Sequence, residues 1–101
     1  MTEYLFLMHG GTAKTEGAGG HADWGPYIDS LKTAGALQGG SAMGGGVCVR
    51  KDGGAPEITR HLTGYIKVEA ETLDAARALL DGNPVYEAGG VVEIRELPVT
   101  G

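Results

Sequence analysis

A single cysteine, Cys48, leaves this chain without an internal disulfide and suits a reducing, cytoplasmic setting. A zinc site needs three or four Cys, His or carboxylate ligands in a recognisable cluster; no Cys pair or close His pair occurs, and neither metal nor other cofactor is expected. Cations are also few. Eight Lys and Arg are scattered against thirteen Asp and Glu, a net charge of -5, so the clustered basic residues that phosphate backbones require are missing. Nucleic acid and membrane are therefore not expected partners. No basic N-terminal segment runs into a long apolar one, so no targeting segment is expected there.

What is present fits one folded domain over residues 1–101, with 42% hydrophobic content enough for a single core. The nineteen glycines fall mainly between periodic segments, as connections do in a folded domain. Residues 2–8 alternate with little polar relief: Tyr4, Phe6 and Met8 point one way, Leu5 and Leu7 the other. A strand apolar on both faces belongs in the middle of a covered sheet. Residues 64–69 and 91–95 are β-rich, and between them residues 73–80 recur at helical spacing. Thr72 is placed to cap that helix, Asp74 to favour its first turn, and Gly82 with Pro84 to stop it.

A further helix is predicted from Asp23, with Trp24, Tyr27, Ile28 and Leu31 as one apolar stripe. Asp23 is its expected cap, Pro26 falls in its first turn, and Gly35 is placed to end it. Val47, Cys48, Val49 and Arg50 then read as a strand, with Cys48 packed as a small apolar group and Asp52-Gly53 as a hairpin turn toward residues 56–59 or their continuation toward Tyr65. The order is strand, helix, hairpin, helix, strand. This is the α+β, ferredoxin-like split βαβ arrangement, in which helices cover one sheet face and a second copy of the chain is expected to cover the other.

Several of these residues also resemble a family. Trp24, Tyr27, Leu31 and Gly35-Ala36-Leu37, the Gly39-Gly40 pair, Gly64-Tyr65 opening a strand, Leu73-Asp74-Ala75-Ala76, Asn83-Pro84 and the run from Val92 to Pro98 are together similar to the YCII-related (DGPF-type) proteins. The resemblance implies a dimeric α+β barrel of two sheets packed face to face. It also implies, for some members, a His in the first helix and an Asp before the proline after the second, acting in acid/base chemistry that includes dehydrohalogenation. This chain departs from that pattern. Trp24 and Asn83 stand at those positions, and neither an indole nor an amide exchanges protons as a base at neutral pH.

Three histidines remain. His9 ends the first strand and His61 precedes the third, so antiparallel pairing of the two brings them together, whereas His21 lies before the first helix. One reading makes His9 and His61 acid/base groups of a small lyase- or isomerase-type enzyme. The other makes the chain a binding protein for an acidic or hydroxylated organic ligand in a cleft between sheet and helices, with Asp23, Trp24, Arg60 and Tyr65 as contacts and residues 10–20 as a closing loop. Each histidine also fits a strand-end residue with its hydrogen bond satisfied. Residues 11–15 superficially resemble a phosphate loop, but no glycine precedes Lys14 and no helix follows directly, so a nucleotide site is not expected.

Overall fold

In the computed structural model, residues 1–10 and 21–99 are described, with side chains from Trp24 onward in the first helix. The phosphate-loop resemblance and all of the expected closing loop but Gly10 lie outside the described residues. The elements run β1 (Thr2–His9), α1 (His21–Thr33), β2 (Leu37–Ala42), β3 (Leu62–Ala70), α2 (Leu73–Ala78), α3 (Pro84–Glu87) and β4 (Val92–Leu97). They form one antiparallel sheet in the order β2-β3-β1-β4, with β1 and β3 central. This is the split βαβ topology expected from the order of periodic segments.

The helices cover one face of the sheet. Tyr4, Phe6 and Met8 from β1 meet Ile66, Val68 and Ala70 from β3 beneath Tyr27, Leu31, Ala76, Leu80 and Val85. Burying each large apolar side chain there contributes about 1.5–3 kcal/mol before the cost of ordering the chain. The predicted stripe of α1 holds, since Tyr27 and Leu31 are buried and Trp24 and Ile28 pack against the same core. Its end is as expected. Gly35, at φ 72°, donates to the Lys32 carbonyl while Ala36 donates to that of Leu31, the paired bonds of a left-handed helix stop.

Its start differs from expectation. α1 begins at His21, so Asp23 lies in the first turn instead of capping it, and Pro26 sits inside the helix. A negative charge in the first turn still suits the helix dipole, which explains how the sequence signal can be shifted by a few residues. Thr72 does cap α2, its Oγ1 accepting from Ala75 N–H at 3.1 Å. Pro84 both follows that helix and opens another, because Asn83 Oδ1 accepts from the N–H groups of Val85 and Tyr86 at 3.0 and 3.1 Å.

The larger correction concerns β2. The strand that pairs with β3 is Leu37–Ala42, while the β-prone Val47, Cys48, Val49 and Arg50 belong to no strand. Packing overrides propensity here. A Cβ on Gly40 would lie 2.7 Å from the Tyr65 carbonyl oxygen and 3.1 Å from Ile66 Cα, so glycine at this position permits the close approach of β2 to β3. Residues 43–61 then leave the sheet as a long excursion that returns at Leu62. Cys48 is exposed on it instead of packed, with its Sγ 3.6 Å from the Glu57 carbonyl.

The second face of the sheet carries no helix among the described residues. Leu5 and Leu7 are half-buried there, in cross-strand rows with Lys67, Tyr65, Arg95 and Glu93. Glu3 stands directly opposite Glu69, a like-charge pair relieved in part by Lys67, whose Nζ is 4.0 Å from a Glu3 oxygen. Within one copy, both faces of β1 are not buried equally.

A histidine and carboxylate corner on the open sheet face

The end of β1 is pinned from both sides. His9 N–H donates to the Val91 carbonyl at 3.0 Å and Gly10 N–H to the His61 carbonyl at 2.6 Å. Between these bonds the β1–β3 register slips: Met8 faces Gly64 and His9 faces Leu62, leaving Thr63 as the extra residue of a bulge. Thr63 Oγ1 donates back to the Met8 carbonyl at 3.4 Å. A bulge redirects side chains, and here it delivers His61 beside His9, with ring centroids 4.8 Å apart and the rings edge to face at 64°.

The third member comes from β4. Glu93 lies opposite Leu7 on the open face, and its Oε1 is 3.0 Å from His9 Nε2. Its Oε2 is 2.9 Å from Arg95 Nε, two residues along the same face. An ionised carboxylate only accepts hydrogen bonds, so the Nε2 that faces it is the donor and Nδ1 is left to face outward. Arg95 in turn holds the carboxylate. The arrangement Arg95–Glu93–His9, with His61 alongside, orients one imidazole and supplies a hydrogen-bond acceptor and donor at one corner of the sheet.

The residues expected from sequence divide around this corner. His9 and His61 are brought together as antiparallel pairing required, and Tyr65 lies on the same face in the row Tyr65–Leu7–Glu93. Arg60 adjoins His61 in the chain but reaches outward to Glu57 at 3.7 Å, and it borders an open groove of about 390 Å³ formed with Met43, Ile58, Thr59, Leu62 and Thr63. Trp24 is not part of the group. It packs against the core on the helix side, its ring 6.0 Å from Tyr27. Asp23 lies in α1 with its side chain outside the described residues. Because helices and the His9 corner occupy opposite faces, a single cleft between sheet and helices does not collect all of these side chains.

Glu93 was missed by sequence reading. The only signal was its place in an alternating strand, where it looks like any solvated charge; its role depends on the β1–β4 register. On the helix side, Tyr27 and Asn83 form a second polar spot. Tyr27 donates its hydroxyl to the Leu79 carbonyl at 2.8 Å, and burial pushes its phenol above the ordinary value, with Asn83 acting in the other direction. Asn83 is fully buried and its Nδ2 has no hydrogen-bond partner of good geometry among the described residues, while the Tyr27 hydroxyl ties α1 to the end of α2. Among the described residues no group of three His, Cys, Asp or Glu side chains is placed to hold a metal ion, and no helix is long and apolar enough to cross a membrane.

A four-stranded antiparallel sheet with helices on one face and a polar corner on the other defines a small α+β domain of the ferredoxin-like class. The chain belongs to the YCII-related domain family, whose profile matches residues 2–99. Its fold is similar to that of 5-chloro-2-hydroxyhydroquinone dehydrochlorinase (TftG) from Burkholderia phenoliruptrix AC1100, solved in complex with 2,5-dihydroxybenzoquinone. The likeness has a TM-score of 0.59 at 15% identity and covers 95% of this chain and 93% of that one. No curated protein matches the sequence significantly.

Proposed function

We propose that this YCII-family protein is a cytoplasmic homodimer that binds a small acidic or hydroxylated organic molecule at the His9–His61 corner. The observation that carries the reading is the 3.0 Å contact between His9 Nε2 and Glu93 Oε1 with the His61 ring alongside. An imidazole oriented through one nitrogen is equipped to accept a hydroxyl proton with the other, and a second imidazole offers a donor to a neighbouring oxygen. Tyr65 supplies a further hydroxyl on the same face, and Arg60, at the edge of the adjoining groove, attracts a carboxylate. The bound dihydroxybenzoquinone of the structurally similar dehydrochlorinase is a hydroxylated ring, the ligand chemistry that this corner's donors and acceptors suit. The dimer reading draws on the half-buried Leu5 and Leu7 of the open sheet face, and the cytoplasmic one on the single, exposed Cys48.

A second reading, a lyase- or isomerase-type enzyme with His9 as base and His61 as acid, is favoured by the same carboxylate-oriented pair. It needs the bound compound to carry an acidic C–H or O–H next to a leaving or migrating group. A thermal-shift screen with 2,5-dihydroxybenzoquinone and hydroxylated aromatic acids comes first, followed by titration of the best binder into His9→Ala and His61→Ala. Loss of roughly tenfold or more in affinity for each is expected from removal of a charge-assisted bond. Two folded variants with undiminished affinity overturn the placement, and turnover lost in His9→Ala but with binding retained selects the enzyme reading.

A further inference from the structure

The excursion between β2 and β3, residues 43–61, ends on Arg60 and His61 of the polar corner, but residues 46–57 serve no evident purpose among the described residues of one copy. Antiparallel neighbours need only a short turn between them, yet here the connection is far longer than usual. Val47 and Val49 on it are 80% and 84% exposed, two β-prone apolar side chains left bare. Among the described residues, those numbered 44–60 make no backbone-to-backbone hydrogen bond; the nearest are from Met43 to Thr63 and from Gly10 to His61, at the two roots. A β-prone Val-Cys-Val-Arg segment with no backbone partner among the described residues and with bare apolar side chains is a strand sequence without a sheet.

The charge of the excursion differs from that of the body. It holds three of the chain's eight cations (Arg50, Lys51, Arg60) but only two of its thirteen anions (Asp52, Glu57), so a slightly basic arm leaves a strongly acidic domain. The complementary surface is on the chain itself. Among the described residues β4 pairs with β1 alone, and its outer edge presents unpaired backbone, the 58% exposed Val91 and the exposed Glu96.

We infer that residues 47–50 add as a strand to the outer edge of β4 in a second copy of the chain, with Val47 and Val49 against Val91 and Arg50 facing Glu96. This inference rests on the homodimer reading and extends it, since it assigns the arm and the edge that clasp the two copies. It also accounts for the retention of an apolar, glycine-flanked segment that would otherwise be an aggregation hazard.

Cys48, the chain's single thiol, provides the probe. Benzophenone maleimide attached there and irradiated is expected to give a covalent species of twice the chain mass, with adducts in residues 91–97 of the second copy. Sedimentation of the same labelled sample accompanies the mapping. A monomer overturns both the homodimer and the clasp; a dimer whose cross-links stay within one chain or map elsewhere overturns the clasp alone. As a second arm, Val47→Asp combined with Val49→Asp is expected to fold, because both side chains are exposed in one copy, and to raise the dimer dissociation constant by roughly tenfold or more. A folded double variant with unchanged dissociation overturns the clasp.

Discussion

Glu93 holds His9 across 84 residues of chain, its Oε1 3.0 Å from His9 Nε2 while its Oε2 grips Arg95 at 2.9 Å. The pair is only partly shielded, with side-chain exposures of 23% and 38%, so its value for stability is small and its value lies in orienting the ring.

Glu93→Gln should therefore change unfolding free energy by less than about 1 kcal/mol in urea titration. The same variant should bind the best ligand of the thermal-shift screen at least several-fold more weakly, because an amide that presents its N–H₂ to Nε2 reverses the tautomer preference of His9. A large stability loss with unaltered affinity would show that the pair is a folding element.

Asn83→Ala should be costly. It removes the acceptor for two N–H groups at the start of α3 and leaves a space in a fully buried site. A loss of about 1–3 kcal/mol is expected by chemical denaturation, with little change in any function of the His9 corner on the other face.

Gly40→Val tests why β2 lies where it does. The added Cβ meets the Tyr65 carbonyl at 2.7 Å, backbone against side chain, so β2 must move away from β3. The expected result is a loss of roughly 2 kcal/mol or more, with faster amide hydrogen exchange in residues 64–68 than in residues 3–7. Gly45→Val, with nothing within 4 Å of its Cβ, is the control and should be near neutral.

The alkaline limb of stability should depend on Tyr27. Burial raises the folded-state value of its phenol, so the folded protein holds this proton more tightly than the unfolded chain does. That contribution is fully present below the unfolded value of about 10 and is lost as pH rises through the folded one. Tyr27→Phe should lose the hydroxyl's bond to Leu79 at neutral pH yet show a shallower decline above about pH 10, measured as denaturation midpoint against pH.

Sequence by itself determined the parts whose physics is local or periodic. Alternation in residues 2–8 and 64–69 fixed the two central strands, the stripe of Trp24, Tyr27, Ile28 and Leu31 fixed the buried face of α1, and Thr72 and Gly35 fixed a helix start and a helix end. Element order then allowed only a few topologies, and the proximity of His9 and His61 followed from antiparallel pairing. Tertiary structure decided what depends on distant partners. Leu37–Ala42 has weak strand propensity and becomes β2 because Gly40 can approach β3, whereas Val47, Cys48 and Val49 have strong propensity and no strand partner among the described residues. Trp24 and His9 are both near the start of the crossover in sequence, yet the core takes one and the open face the other. Glu93 joins His9 only through the register of β1 on β4, since a one-residue slip would turn it to the opposite face of the sheet.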